Sequence, residues 1–173
     1  MRTTISVLAA LAIALGVAAC GGSKAPGIVT APSGGLTQAS IPTTPKPPPQ
    51  LSKKPVVQVP SGPAPTHLVT KDLIPGTGQA ASAGQTITVN YVGVIYKTGK
   101  QFDSSWQRNQ PFTTPLSPGS VIPGWVQGLS GMKVGGRREL IIPPNLAYGT
   151  KGSPPTIPPN STLVFVVDLL SVA

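Results

Sequence analysis

Residues 66–173 predict an α+β fold, a curled antiparallel β-sheet wrapped around one short α-helix. Three observations carry that expectation. Two long segments, 86–96 (TITVNYVGVIY) and 162–172 (TLVFVVDLLSV), are dominated by β-branched and aromatic residues, which favour a pleated, packed surface. One stretch alone has helical spacing, with Ile122, Trp125, Val126, Leu129 and Met132 at i, i+3, i+4, i+7 and i+10. Turn chemistry separates the rest into short pieces. A sheet with one apolar face and a single short helix bury both surfaces only if the helix packs on that face.

Taken in order, His67-Leu68-Val69-Thr70 opens the domain as a strand-like run, and Pro75-Gly76-Thr77-Gly78 is a turn. In 86–96, Ile87, Val89 and Tyr91 share one face. Lys97-Thr98-Gly99-Lys100 is a hairpin turn leading into Gln101-Phe102-Asp103. The helix after Ile122 is expected to run about two turns and end near Gly131, since Gly124 and Gly128 weaken it. Arg138 to Ile142 is another strand, stopped by Pro143-Pro144, with Arg137-Arg138 read as the solvated face of its end. In the final strand Leu163, Phe165, Val167 and Leu169 alternate towards a core. Its other face also carries Val164, Val166 and Leu170, so it is expected to be central and covered on both sides.

Ahead of this domain, Met1-Arg2 and the apolar run ISVLAALAIALGVAA (5–19) have the shape of a secretory signal. The lone cysteine, Cys20, falls where such a signal ends, and Val17-Ala18-Ala19-Cys20 resembles the bacterial lipoprotein box. That resemblance implies cleavage after residue 19, a lipid anchor on Cys20, and an exported, membrane-anchored protein of the cell envelope. The alternative is an ordinary signal with an incidental cysteine. From Gly21 to Pro65 the chain is mostly Pro, Ser, Thr, Gly and Ala, without apolar periodicity, and is expected to be a disordered tether. The organisation expected is thus a signal over 1–19, lipidated Cys20 and tether over 20–65, and a folded domain over 66–173.

Composition excludes several classes. The thirteen Lys and Arg against four Asp and Glu are scattered singly apart from two pairs, so no nucleic-acid motif emerges. One Cys and one His leave no disulfide framework and no Cys/His zinc site, and no cofactor is expected. A Ser-His-Asp triad would need His67, which sits beside a proline-rich run.

Five segments then occur in order: VNYVG, GKQFDSSWQRNQPF, VIPGWVQGLSGMKVGGRREL, IPPNLAYG and IPPNSTLVFVVDLL. This set resembles the FK506-binding-protein class of peptidyl-prolyl cis-trans isomerase, over Leu68 to Leu170. The resemblance implies an apolar pocket between sheet and helix that receives a substrate proline. It places Trp125 at the pocket floor, with Tyr91, Phe102, Phe112, Val121, Ile122 and Phe165 as walls. It places Asp103 at the rim beside Tyr91 with Arg108 as its charged neighbour. Tyr148 would offer its hydroxyl to a substrate carbonyl, the Ile122 N–H would bind another, and Ile157 would lie on the flap above. Thr114, where many members carry an aromatic, suggests a more open side, and Ser153 stands where some members carry a His. Without the resemblance, Trp125, Phe102, Phe165 and Tyr91 taken singly read better as core, and Asp103-Ser104-Ser105 as an ordinary Asx turn.

The function implied is rotation of X–Pro bonds in exported polypeptides, by a monomer that binds proline-containing chains and takes macrocycles of the FK506 and rapamycin type as candidate ligands. The competing expectations are a chaperone-like lipoprotein that holds proline-containing segments with little turnover, and a wall lipoprotein binding anionic polymer.

Overall fold

The computed structural model describes residues 49–173; the signal segment, Cys20 and the tether up to residue 48 lie outside the described residues. Six strands, β1 (Val69–Ile74), β2 (Thr86–Ile95), β3 (Gln101–Ser104), β4 (Phe112–Pro115), β5 (Arg137–Ile142) and β6 (Leu163–Val172), accompany one helix, α1 (Pro123–Leu129). All pairings are antiparallel, in the order β1-β5-β6-β2-β3, with β4 paired to the first half of β2. The α+β expectation of a sheet curled on one helix holds, and the sheet is not closed. The strand expected to be central is so: β6 lies between β5 and β2, and its first eight residues are buried.

One face of the sheet forms the main core. Ile87 and Val89 of β2, Leu140 and Ile142 of β5, and Leu163, Val167 and Leu169 of β6 meet Trp125, Leu129 and Met132 there. Pro123 starts α1 at a position where its missing N–H costs nothing. The two helix glycines then gain a packing reason. A Cβ on Gly124 would lie 2.4 Å from Ile142 Cγ2, and one on Gly128 2.7 Å from Leu140 Cδ2, so bare backbone lets α1 sit directly on β5.

The opposite face is covered by the chain's own N-terminal strap. Val57 and Val59 pack on a second apolar cluster of Val92, Val94, Tyr96, Ile141 and Val164. Leu51 is 1% exposed. Arg137 Nη2 donates to the Lys53 carbonyl at 2.9 Å, and Lys54 Nζ to Gln101 Oε1 at 2.8 Å. The tether expected over 20–65 is therefore corrected for residues 49–65, which belong to the folded unit. The physical reason is that the outer faces of β2 and β6 are themselves apolar and need a cover. The alternation of Val57 and Val59 about exposed neighbours supplies it.

Other differences are local. β1 starts at Val69 and runs on to Ile74. β4 is too short and too polar (FTTP) to announce itself as a strand; it forms because it lies along the edge of β2. Its Thr114 is buried, opposite Ile87 of β2. Arg137 and Arg138 do not form a solvated face. Arg137 makes a bidentate pair with Asp168, Nε–Oδ1 2.6 Å and Nη2–Oδ2 2.7 Å, on the outer side. Arg138 grips Asp72 of β1 from Nε (2.6 Å) and Nη2 (3.0 Å), and from Nη1 donates to the Gly128 carbonyl of α1 at 2.9 Å. Burial pushes the Asp168 pKa up against the opposing pull of Arg137. The Arg138 hydrogen bonds hold Asp72 below its usual value.

The Asp168 side chain is 1% exposed, so removing its partner strands a buried charge. Arg137→Met is expected to destabilise the fold by about 3–5 kcal/mol in urea unfolding. Arg108→Met, at a pair whose side chains are 49% and 38% exposed, should cost under about 1 kcal/mol in the same measurement.

Candidate functional site

The site is built on the inner face of β2. Strand alternation points Tyr91 and Gly93 inward with Val89. Asp103 of β3 is opposite Gly93, and β3 then breaks into a 3-10 turn, Ser105–Arg108, which brings Arg108 back over Tyr91. Asn109 closes that turn with φ 50, a left-handed position that asparagine tolerates. The buried Ser105 hydroxyl accepts the Tyr91 N–H at 2.9 Å and donates to Asn90 Oδ1 at 3.0 Å, bonding the turn to β2 where the strand ladder stops.

Three polar side chains meet there. Tyr91 Oη donates to Asp103 Oδ2, Arg108 Nη1 donates to Asp103 Oδ1, and Arg108 Nη2 donates to Tyr91 Oη at 2.9 Å. The Ser104 N–H adds a 2.7 Å bond to Asp103 Oδ1. Burial works against the Asp103 carboxylate, but the hydrogen bonds from Tyr91, Arg108 and Ser104 outweigh it and hold its pKa below the usual carboxylate range. Burial, then the bond to Asp103, pushes the Tyr91 phenol up to about 12. Tyr148 is raised by burial and by the field of Asp103.

Beside this triad lies a cavity of about 440 Å³. Trp125, from the first turn of α1, is its floor and is 4% exposed. Its ring stands nearly perpendicular to those of Tyr91 (centroids 5.3 Å) and Phe165 (5.4 Å), the edge-to-face arrangement that aromatic quadrupoles favour. Phe102 meets Phe165 in the same way at 5.4 Å, and Phe112 meets Tyr91 at 5.9 Å. Val121 and Ile122 close the helix side, and Asp103, Arg108 and Tyr148 stand with the rings around the cavity.

Every wall and rim position expected from the sequence thus reaches this cavity except one. Ile157 is buried in the main core, fixed by reciprocal 2.8 Å backbone bonds with Ser153, and does not line the cavity. The expectation that it lies on the flap over the pocket therefore differs in one respect: its side chain belongs to the core and not to the cavity lining. Ser120 lines the cavity and was not anticipated; nothing in its local sequence marks it.

A larger depression of about 900 Å³ lies between the strap around Pro60–Ala64 and the Pro158–Thr162 loop, but it holds no carboxylate and no ring cluster. The chemistry lies in the smaller cavity. It offers one ionised carboxylate, a phenol tied to it, a guanidinium, and two donors left open: the Tyr148 hydroxyl and the Ile122 N–H bond to nothing among the described residues. Ile122 is the residue before α1, with its carbonyl committed to the Trp125 N–H at 2.9 Å. Trp125 Nε1 is buried without a partner among the described residues. Among the described residues, no three His, Cys, Asp or Glu side chains group as metal ligands. Such an arrangement has room for an apolar ring and presents hydrogen-bond donors that carbonyl groups can use.

The family profile described as FKBP-type peptidyl-prolyl cis-trans isomerase matches residues 77–170. An FK506-binding protein of Streptomyces anulatus is 53% identical over 121 residues, 69% of this chain and 98% of that one. A probable FK506-binding protein of Corynebacterium glutamicum is 50% identical over 119 residues, again 69% and 98%. Among solved structures, FkpA from Escherichia coli superposes with a TM-score of 0.57 at 45% identity, over 71% of this chain and 54% of that one. Matches to 69% of a chain of 173 residues necessarily take in the strap from Pro55 onward.

The depressed pKa of Asp103 gives its interactions a definite pH dependence. They stabilise the fold fully above the unfolded carboxyl value, about 3.9, and are lost as pH falls through the lower folded value. An NMR titration of the Asp103 carboxyl carbon is expected to give a midpoint below that of a model aspartate, and Asp103→Asn should flatten this part of the acid limb of the stability curve.

Proposed function

Because the chain belongs to the FKBP-type peptidyl-prolyl cis-trans isomerase family, we propose that the 440 Å³ cavity is where it works, receiving the proline ring of an extended polypeptide and lowering the barrier to rotation about the preceding bond. The observation that carries this reading is a single ionised carboxylate set at the rim of an aromatic-lined cavity whose lining holds no Cys or His.

The chemistry asks for nothing more. Rotation about an amide is opposed by a barrier of about 18–20 kcal/mol, and an X–Pro bond turns over in tens to hundreds of seconds unaided. The planar imide owes its dipole to resonance, which the twisted state gives up. Walls made of Trp125, Phe102, Phe165 and Val121 solvate a large dipole poorly and penalise the planar form more than the twisted one. That difference in binding is what accelerates a reaction. In this reading the open Ile122 N–H and the Tyr148 hydroxyl hold the flanking carbonyls, and Asp103 acts as an acceptor and a fixed negative field, locked in place by Tyr91 and Arg108.

The substrates proposed are exported proteins. The signal-like start, the lipoprotein-box resemblance at Cys20 and the proline-rich run that follows support a monomer attached through Cys20 to a membrane of the cell envelope. The relatives' names assign FK506 to those proteins, and macrocycles of that class are proposed ligands of this cavity.

Line-shape or exchange NMR on a short X–Pro peptide tests the reading. The wild-type chain should accelerate cis–trans exchange. Trp125→Ala should lose at least about tenfold by opening the floor, and Asp103→Ala about tenfold by freeing the triad. Tyr148→Phe should lose a few-fold, the worth of one hydrogen bond of roughly 1 kcal/mol. Tight peptide binding with unaccelerated exchange would mark a holding protein instead.

A further inference from the structure

We propose that Gly93 is a specificity-determining residue: its missing side chain sets where the Phe102 and Phe165 rings stand, and with them the width of the cavity. The inference rests on the reading of that cavity as the proline site.

Gly93 lies inside β2, between Asp103 on β3 and Phe165 on β6. Its φ is not positive, so the backbone there suits any residue. Glycine weakens a strand interior and has to be explained by what comes close to it. The neighbours are the two rings. A Cβ at 93 would stand 2.6 Å from Phe102 Cζ, 3.0 Å from Phe102 Cε2 and 2.9 Å from Phe165 Cε1. Both rings therefore close over bare backbone, and this lets them meet edge to face at 5.4 Å. Phe165 then passes the constraint to the floor, edge to face with Trp125.

The two rings differ in freedom. Phe165 is enclosed in the core, while Phe102 is only partly buried and touches Gly93 with its far end. A methyl group at 93 would displace Phe102 first. Phe102 is a cavity wall and the covalent neighbour of Asp103, so the displacement alters both the width of the cavity and the seat of the carboxylate. The position acts through these neighbours, without touching substrate itself. Because Phe102 adjoins Asp103, where the chain flanking the proline would leave the cavity, the displacement reaches the residue beside proline as well as the ring itself.

The test is a double-mutant cycle in the full chain, reading kcat/KM for cis–trans exchange and Kd for the same peptides, with Ala or Leu before proline. Gly93→Ala is expected to lower kcat/KM about tenfold, mainly through KM, and more for Leu-Pro than for Ala-Pro. In a Phe102→Ala background the same change should cost at most about threefold, because two of the three close approaches are gone and Phe165, left at 2.9 Å, can yield into the space that the Phe102 ring vacates. An equal penalty in both backgrounds, or equal losses for both peptides, overturns the proposal. Should Gly93→Ala fail to fold, the Gly93→Ala/Phe102→Ala double variant should fold and bind; its failure to fold also overturns it. A wild-type chain that binds the peptides without accelerating exchange refutes the isomerase reading, and the cycle in Kd then decides Gly93 alone. A wild-type chain that neither binds nor accelerates refutes both.

Discussion

The register between β2 and β6 is the constraint on which the rest of the molecule depends. The two ten-residue strands pair along nearly their whole length, setting Tyr91 against Val167, Gly93 against Phe165 and Asn90 against Asp168. Because side chains alternate, a slip of one residue would exchange the faces of the whole strand. In the observed register the inner face receives Tyr91 and Phe165, which stand on Trp125, and the outer face receives Val92, Val94 and Val164, which the strap covers. Cavity and strap are thus two results of one pairing. The single shift in the ladder, between Thr88 and Val89, comes ahead of the site and leaves the register through Tyr91 and Gly93 uninterrupted.

A chain with only four acidic residues places each with care. Asp72, Asp103 and Asp168 are each held by an arginine, and Glu139 lies opposite Lys71. The three arginine pairs do different work according to their exposure. Arg137 and Asp168 are sealed beneath the strap, where a carboxylate without its partner would be strongly unfavourable. Arg138 and Asp72 join β1 to β5 and, through the Gly128 carbonyl, reach α1. Arg108 and Asp103 stand half in solvent, contribute little to stability, and keep a charge fixed at the mouth of an apolar cavity.

The sheet and the site were legible in the sequence to different depths. Long β-branched runs announced β2 and β6, and the spacing of Ile122, Trp125, Val126 and Leu129 announced α1, because burial on a periodic face leaves a periodic trace. The identity of the cavity residues came from an ordered set of motifs; one aromatic at a time reads as core. What stayed hidden depends on partners distant in sequence. β4 exists only along the edge of β2, and Arg137 looks solvated until Asp168 and the Lys53 carbonyl are brought beside it. The strap's trace was present in the alternation of Val57 and Val59, but proline on either side masked it. Ile157 differs again: assigned to the flap over the pocket, it has its side chain buried in the main core.

The strap also sets where the leading segment meets the domain. Residues 1–48 join the described fold at Pro49, next to Leu51 and the Lys53 carbonyl, on the side of the sheet that faces away from the aromatic cavity. Through the Lys53 carbonyl the strap is bound to Arg137 and Asp168 in the middle of the sheet, and through Lys54 to Gln101 of β3. Trp106 of the 3-10 turn packs on the same outer cluster as Val57 and Val59, so the strap and the turn that carries Arg108 share one support behind the cavity.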